Sequence, residues 1–171
     1  NFNSGPAVLP LSVLEEASRN ILEFGKTGVS ILEIGHRSSD YEQIQVEAKE
    51  RLLRLMGLTP ENYDVFFLGG GASMQFAMVP MNFLSTEGTA DFLHTGEWSG
   101  RAMAEARKFG RVREAGSSEP QSFRVLPVSW SFSKDAAYVH LTTNNTIEGT
   151  QWKVIPEIPS NVPLFADASS D

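Results

Sequence analysis

Four short segments of this chain carry the residue types from which a ligand site is built. The first is Val162-Pro-Leu-Phe-Ala-Asp-Ala-Ser-Ser-Asp171, where a brief apolar run ends in Asp167. An apolar run of this length, bounded by turn formers, reads as a buried strand of a parallel sheet. The carboxylate at its C-terminal end falls where open α/β sheets place ligand-binding groups. A solvated loop aspartate is the competing reading, since most Asp residues are exposed. The second segment, Gly69-Gly-Gly-Ala-Ser-Met-Gln75, lies between a predicted strand and a predicted helix. Its glycines allow close backbone approach, and a helix start offers free N–H groups at the positive dipole end. Ser73 adds a hydroxyl, so the turn reads as a phosphate cradle, or else as a tight structural turn. A P-loop is excluded because no Gly-Lys-Ser/Thr follows. The dinucleotide fingerprint fails too, with Met74 where its third glycine belongs.

Trp98 follows the next strand in a Thr-Gly-Glu-Trp turn, where an indole can stack on a planar ring or simply pack in the core. Thr146 stands in Thr143-Asn-Asn-Thr-Ile-Glu-Gly149, a polar turn in the same topological position; it either bonds a ring substituent or only shapes the turn. A cradle, an aromatic platform, a hydroxyl and a carboxylate together suit a planar, phosphorylated, basic heteroaromatic ring. Pyridoxal 5'-phosphate is such a ring, and its nitrogen needs a carboxylate partner to stay protonated. Apart from these, His36-Arg37 precedes a helix, and the guanidinium fork matches carboxylates and phosphates. A solvated Arg37 paired with Asp40 is the alternative. The histidines are too scattered to argue for a metal site.

The elements that must position these groups alternate. A helix is predicted from Pro10, with Val13, Ala17, Ile21 and Phe24 as its apolar stripe and Gly25 as its stop. A second follows a Ser39/Glu42 capping box and runs through Tyr41, Ile44, Ala48, Leu52 and Leu55 to Gly57. Strands are expected at Tyr63–Leu68, Ala90–Leu93, near Val112 and Val125, at Tyr138–Leu141 and at Leu164–Ala166. Between them fall a helix through Phe76 and Val79, which Pro80 should kink or divide, and one ending near Gly110. Gly116 to Gln121 reads as a surface loop. Strands alternating with helices imply an α/β fold with a doubly wound, mostly parallel sheet and flanking helices.

At 171 residues the chain is long enough for one sizeable core, and 41% hydrophobic with 20% charged residues is a globular composition. A net charge of -7 disfavours nucleic acid as a partner. No stretch is long and apolar enough to predict a membrane span, and the absence of cysteine excludes disulfides and Cys-based zinc sites. A cytoplasmic location is the default expectation.

Phe2-Asn-Ser-Gly-Pro6 with Leu9-Pro10, Ile34-Gly-His-Arg-Ser38, Gly69-Gly-Gly-Ala-Ser-Met-Gln-Phe76, Thr143-Asn-Asn-Thr-Ile-Glu-Gly-Thr-Gln-Trp152 and Ala166-Asp-Ala-Ser-Ser170 resemble the phosphoserine aminotransferase family. That family lies within the class V group of fold-type I pyridoxal-phosphate enzymes. The resemblance runs the length of the chain. It implies a homodimer of serine biosynthesis that moves an amino group between L-glutamate and 3-phosphohydroxypyruvate, giving 2-oxoglutarate and O-phospho-L-serine. It also implies that Ala72 and Ser73 hold the cofactor phosphate, Trp98 stacks on the ring, Thr146 meets the ring hydroxyl side and Asp167 pairs with the ring nitrogen. His36 and Arg37 would receive the substrate's anionic groups, with Ser4 at the substrate mouth.

The family's Schiff-base lysine, in a Gly-Ala-Gln-Lys-Asn-type turn, has no counterpart among Lys26, Lys49, Lys108, Lys134 and Lys153. The chain is therefore expected to be the N-terminal part of a longer enzyme and inactive alone. Residues 1–15 would form an arm, and 16–171 part of the large cofactor domain. Another class V aminotransferase and a non-catalytic pyridoxal-phosphate or phosphate-binding module are the competing functions.

Overall fold

A computed structural model describes every residue of the chain except Phe2 and Ser4. It separates into two compact units, Asn1–Phe67 and Leu68–Asp171. In the first, Pro10 leads into helix α1 (Leu11–Leu22), its φ of -56° already suited to the turn. The stripe of Val13, Ala17 and Ile21 is present, yet α1 buries none of its residues. A capping box does form, but at Ser30 and Glu33 around a short 3₁₀ turn, Ile31–Glu33. There Ser30 Oγ accepts from Leu32 N at 3.1 Å, and Glu33 Oε2 accepts from Ser30 N at 2.9 Å. Helix α2 (Ser39–Leu55) is capped by Ser38, which accepts from Tyr41 N at 3.3 Å. Ser39 is the first helical residue and so cannot supply the cap, which needs an extended backbone. The helix ends before Gly57, whose φ is +67°.

The expected strand at Tyr63–Leu68 does not form. Its residues have strand-like character, but a strand exists only through a partner's ladder, and Phe66, Phe67 and Leu68 are exposed. In the second unit, helix α3 (Gly71–Phe83) continues through Pro80 without dividing. One hydrogen bond, to Phe76 O, is lost there. Packing replaces it: Pro80 is buried, and α3 lies against helix α4 (Glu97–Ala106).

Strands β1 (Thr89–His94), β2 (Arg111–Ser117), β3 (Val139–Thr142) and β6 (Leu164–Asp167) form one parallel sheet in the order β2-β1-β3-β6. Between β3 and β6, β4 (Asn144–Asn145) and β5 (Thr150–Gln151) make a small antiparallel hairpin. Gly116 and Ser117, expected in a loop, extend β2, and no strand forms near Val125. Ala90 and Phe92 of β1 face the helices and join Phe76, Met103 and Tyr138 in the main core. Leu93 and Leu141 face the other way, under Trp152, Leu126 and Phe132 from irregular segments. The chain leaves β1 for β2 on one side and then returns for β3 on the other. This reversal opens a crevice at the C-terminal ends of β1 and β3, the usual ligand position in such sheets.

Candidate active site

The first turn of α4, entered directly from β1, carries Trp98, and the hairpin after β3 carries Thr146, so the topology sets them side by side. Trp98 Nε1 donates to Thr146 Oγ1 at 3.0 Å. The indole is half-buried and belongs to none of the apolar core clusters among the described residues; instead the Arg101 guanidinium lies over its ring at 4.9 Å. Thr143, at the root of the hairpin, donates from both N (3.0 Å) and Oγ1 (3.3 Å) to the Asp167 carbonyl. The loops after β1, β3 and β6 are thus hydrogen-bonded into one frame.

Asp167 ends β6, and its Oδ1 accepts from Ser169 N at 3.2 Å and Ser169 Oγ at 2.6 Å. Oδ2 has no protein donor among the described residues. Asp167 and Ala72 line the same cavity of about 340 Å³, together with Gln75, Phe76, His140 and Phe165. Ala72 lies in the first turn of α3, where N–H groups have no intrahelical acceptor. Gly70 leads into that turn with φ +91°, and a Cβ there would meet Met74 Cβ at 2.4 Å, so the tight entry requires glycine. Ser73 is exposed and outside the cavity wall. His36 and Arg37 lie in the other unit, in the exposed turn before α2, and Arg37 makes no ion pair with Asp40. Ser4 lies outside the described residues.

A model of the aminotransferase class-V family matches residues 1–170. The chain belongs to the class-V aminotransferase family. It is 49% identical over 172 residues to the phosphoserine aminotransferase of Bacillus subtilis (strain 168), covering 100% of this chain and 47% of that protein. It is similarly 49% identical over 175 residues to the phosphoserine aminotransferase of Geobacillus kaustophilus (strain HTA426), again 100% and 47%. Among solved structures, the phosphoserine aminotransferase of Bacillus circulans subsp. alkalophilus superposes with a TM-score of 0.92 at 46% identity, over 97% of this chain and 46% of that one. The PLP-bound phosphoserine aminotransferase of Trichomonas vaginalis gives 0.87 at 35% identity, over 97% and 47%. The chain spans about half the length of the curated relatives it matches.

This class-V aminotransferase chain also places in the cavity a residue that pattern reading passed over. His140 sits in the middle of β3, 6% exposed, stacked on Phe92 with ring centroids 5.0 Å apart. Its Nδ1 is buried without a hydrogen-bond partner. Burial pushes its pKa down to about 4, against a smaller upward pull from the charge of Asp167. The sequence carries little signal for it, because one polar ring within a short, otherwise apolar strand leaves the run looking apolar. Elsewhere His94, Glu114 and Glu119 bring ligand atoms within 4.8 Å of one another. There His94 Nδ1 and Glu114 Oε2 already share a 2.9 Å contact.

Proposed function

We propose that this chain serves pyridoxal-phosphate-dependent amino transfer between L-glutamate and 3-phosphohydroxypyruvate, giving 2-oxoglutarate and O-phospho-L-serine, within an enzyme of its relatives' length. One observation carries the reading: Asp167 and the first turn of α3 line a single cavity of a size suited to a small ligand, roughly 300 Å³ or more. The donor set fits the cofactor. A carboxylate with an oxygen free of protein donors stands at one side, and helix N–H groups at the other. Ala72 and Ser73 would hold the phosphate through their backbones. Trp98 would cover a ring face, Thr146 would meet the ring's hydroxyl side, and Asp167 would hold a proton on the ring nitrogen. When bound, the cofactor supplies an electron sink for the substrate's α-carbon.

The remaining work belongs to side chains of this chain. The neutral His140 adds no positive charge beside Asp167, so the carboxylate's charge stays available for the ring nitrogen. Arg37, with His36 and Ser4, would orient the substrate's anionic groups, Arg37 by a bidentate grip on the carboxylate. Residues 1–15 would act as an arm and 16–171 as part of the large cofactor domain of a cytoplasmic homodimer.

The test is single-turnover amino transfer by the full-length enzyme bearing Asp167→Asn, which keeps shape and removes charge. Electrostatic stabilisation of this kind is worth roughly 3–4 kcal/mol, so transfer should slow by 10² to 10³ or more while cofactor remains bound. A rate within threefold of the parent would remove Asp167 from the role. Retained cofactor with no transfer in the parent itself would favour the non-catalytic binding module.

A further inference from the structure

Helix α4 is preceded at its N-cap position by Gly96, a residue with no side chain to cap it. Its first N–H is satisfied from the hairpin instead: Glu97 N donates to Glu148 Oε1 at 2.8 Å, across 51 residues of sequence. A Cβ on Gly96 would fall 2.3 Å from Glu148 Cδ, so glycine is what lets the carboxylate in. One step earlier, Thr95 Oγ1 donates to Asn145 Oδ1 at 2.9 Å, and both residues are fully buried. Asn145 Nδ2 turns back to Thr150 Oγ1 at 3.1 Å and ties the two hairpin strands together. The Trp98–Thr146 bond is the third crossing. Positions 95, 97 and 98 of one turn therefore meet 145, 148 and 146 of the other without any ligand.

We infer that Thr95, Asn145 and Glu148 are positioning residues that clamp the hairpin onto the first turn of α4 and hold Trp98 and Thr146 as one preformed ligand-binding unit. The inference rests on the cofactor reading proposed above. A buried hydrogen bond between two neutral side chains resists separation, because either partner left alone would be unsatisfied and away from water. Glu148 adds a charged acceptor at the positive end of α4. A platform fixed in advance spares the ligand the ordering of two side chains on binding, and so strengthens retention.

The experiment uses the full-length enzyme carrying Thr95→Val, Thr95→Ser, Glu148→Ala or, as control, Trp98→Ala. Pyridoxal phosphate affinity is measured by equilibrium dialysis, and the bound cofactor's visible circular dichroism is recorded beside apo-protein melting. Thr95→Val and Glu148→Ala should each weaken cofactor affinity about tenfold and reduce the visible dichroism, whereas Thr95→Ser should stay near the parent. In a Trp98→Ala background, Thr95→Val should weaken affinity by less than it does alone. If the melting temperature falls but affinity and dichroism stay within twofold, the bonds only stabilise the fold and the inference is overturned. If Trp98→Ala itself leaves affinity unchanged, the cofactor assignment fails, and the clamp's role fails with it. Should Thr95→Val not fold, Glu148→Ala at the partly exposed end of the clamp decides.

Discussion

Among single residues, His140 separates a polar group that works from one that only fills space. Its imidazole is neutral in the fold because burial disfavours the charged form, and its pKa lies near 4 against an ordinary 6.5. Above pH 6.5 it is uncharged folded or unfolded and contributes nothing to pH dependence. As pH falls below 6.5 the unfolded chain takes up a proton that the folded chain refuses, so stability falls until about pH 4 and then levels. At pH 5 the loss from this residue should be about 2 kcal/mol. Denaturant unfolding of the apo full-length enzyme at pH 7 and pH 5, beside His140→Gln, checks this. The parent should lose more stability than the variant over that interval, and equal losses would mean that His140 is already charged at pH 5. The sequence did not single out this residue. Asp167 was legible because a charged residue interrupts the end of an apolar run. His140 was not, because one polar ring within Tyr138–Leu141 leaves the run looking apolar.

Elements were legible where burial on both faces writes a short, largely apolar run between turn formers, as in β1 and β3, although each also hides a polar residue, Asp91 and His140. They were misread at Tyr63–Leu68 and Val125, where composition favours a strand but no neighbour supplies the ladder. Helix entry at Pro10 was plain from the fixed proline torsion. The cap of α2 slipped by one because Ser38 and Ser39 are chemically alike and only backbone conformation tells them apart. The clamp between α4 and the hairpin was beyond pattern reading, since its bonds join residues about fifty apart. Edge strand β2 depends on a further pairing of that kind. Asp91 of β1 is fully buried and accepts from Arg113 Nε at 2.7 Å and from Ser133 N at 2.7 Å, with a second oxygen–guanidinium bond to Arg113 Nη2. The Asp91 hydrogen bonds in turn hold the Arg113 pKa above its ordinary value. One carboxylate thus fastens β2 and the 131–133 segment to β1. Asp91→Ala should cost about 2–4 kcal/mol, because the partly buried Ser133 N–H loses its acceptor and Arg113 its partner. Urea unfolding of the full-length enzyme measures it. A loss under 0.5 kcal/mol would show that β2 is held by its ladder alone.

For the molecule as a whole, 21 acidic against 14 basic residues give a net charge of -7, a field that repels anions at long range. If the proposed function holds, an enzyme that takes L-glutamate and a phosphorylated keto acid against this charge must present local positive charge where they dock. Arg37 is the candidate: exposed, in the turn before α2, and free of ion pairs among the described residues. An exposed arginine without an acidic partner is wasted on stability, since surface pairs contribute little in any case, but it is ready for a ligand carboxylate. The guanidinium offers two parallel N–H donors, whereas lysine offers a point charge of equal sign. Arg37→Lys in the full-length enzyme therefore keeps the field and removes the fork. The glutamate KM should rise by about one to two orders of magnitude, the equivalent of roughly 1–3 kcal/mol of charge-assisted hydrogen bonding, with cofactor affinity unchanged. Arg37→Gln, which removes the charge as well, should raise KM further and flatten its dependence on ionic strength, because the attraction that salt screens is gone. Steady-state kinetics at low and physiological salt separate the two contributions. If KM in Arg37→Lys matches the parent for both substrates, the fork is not used and another cation must receive the carboxylate.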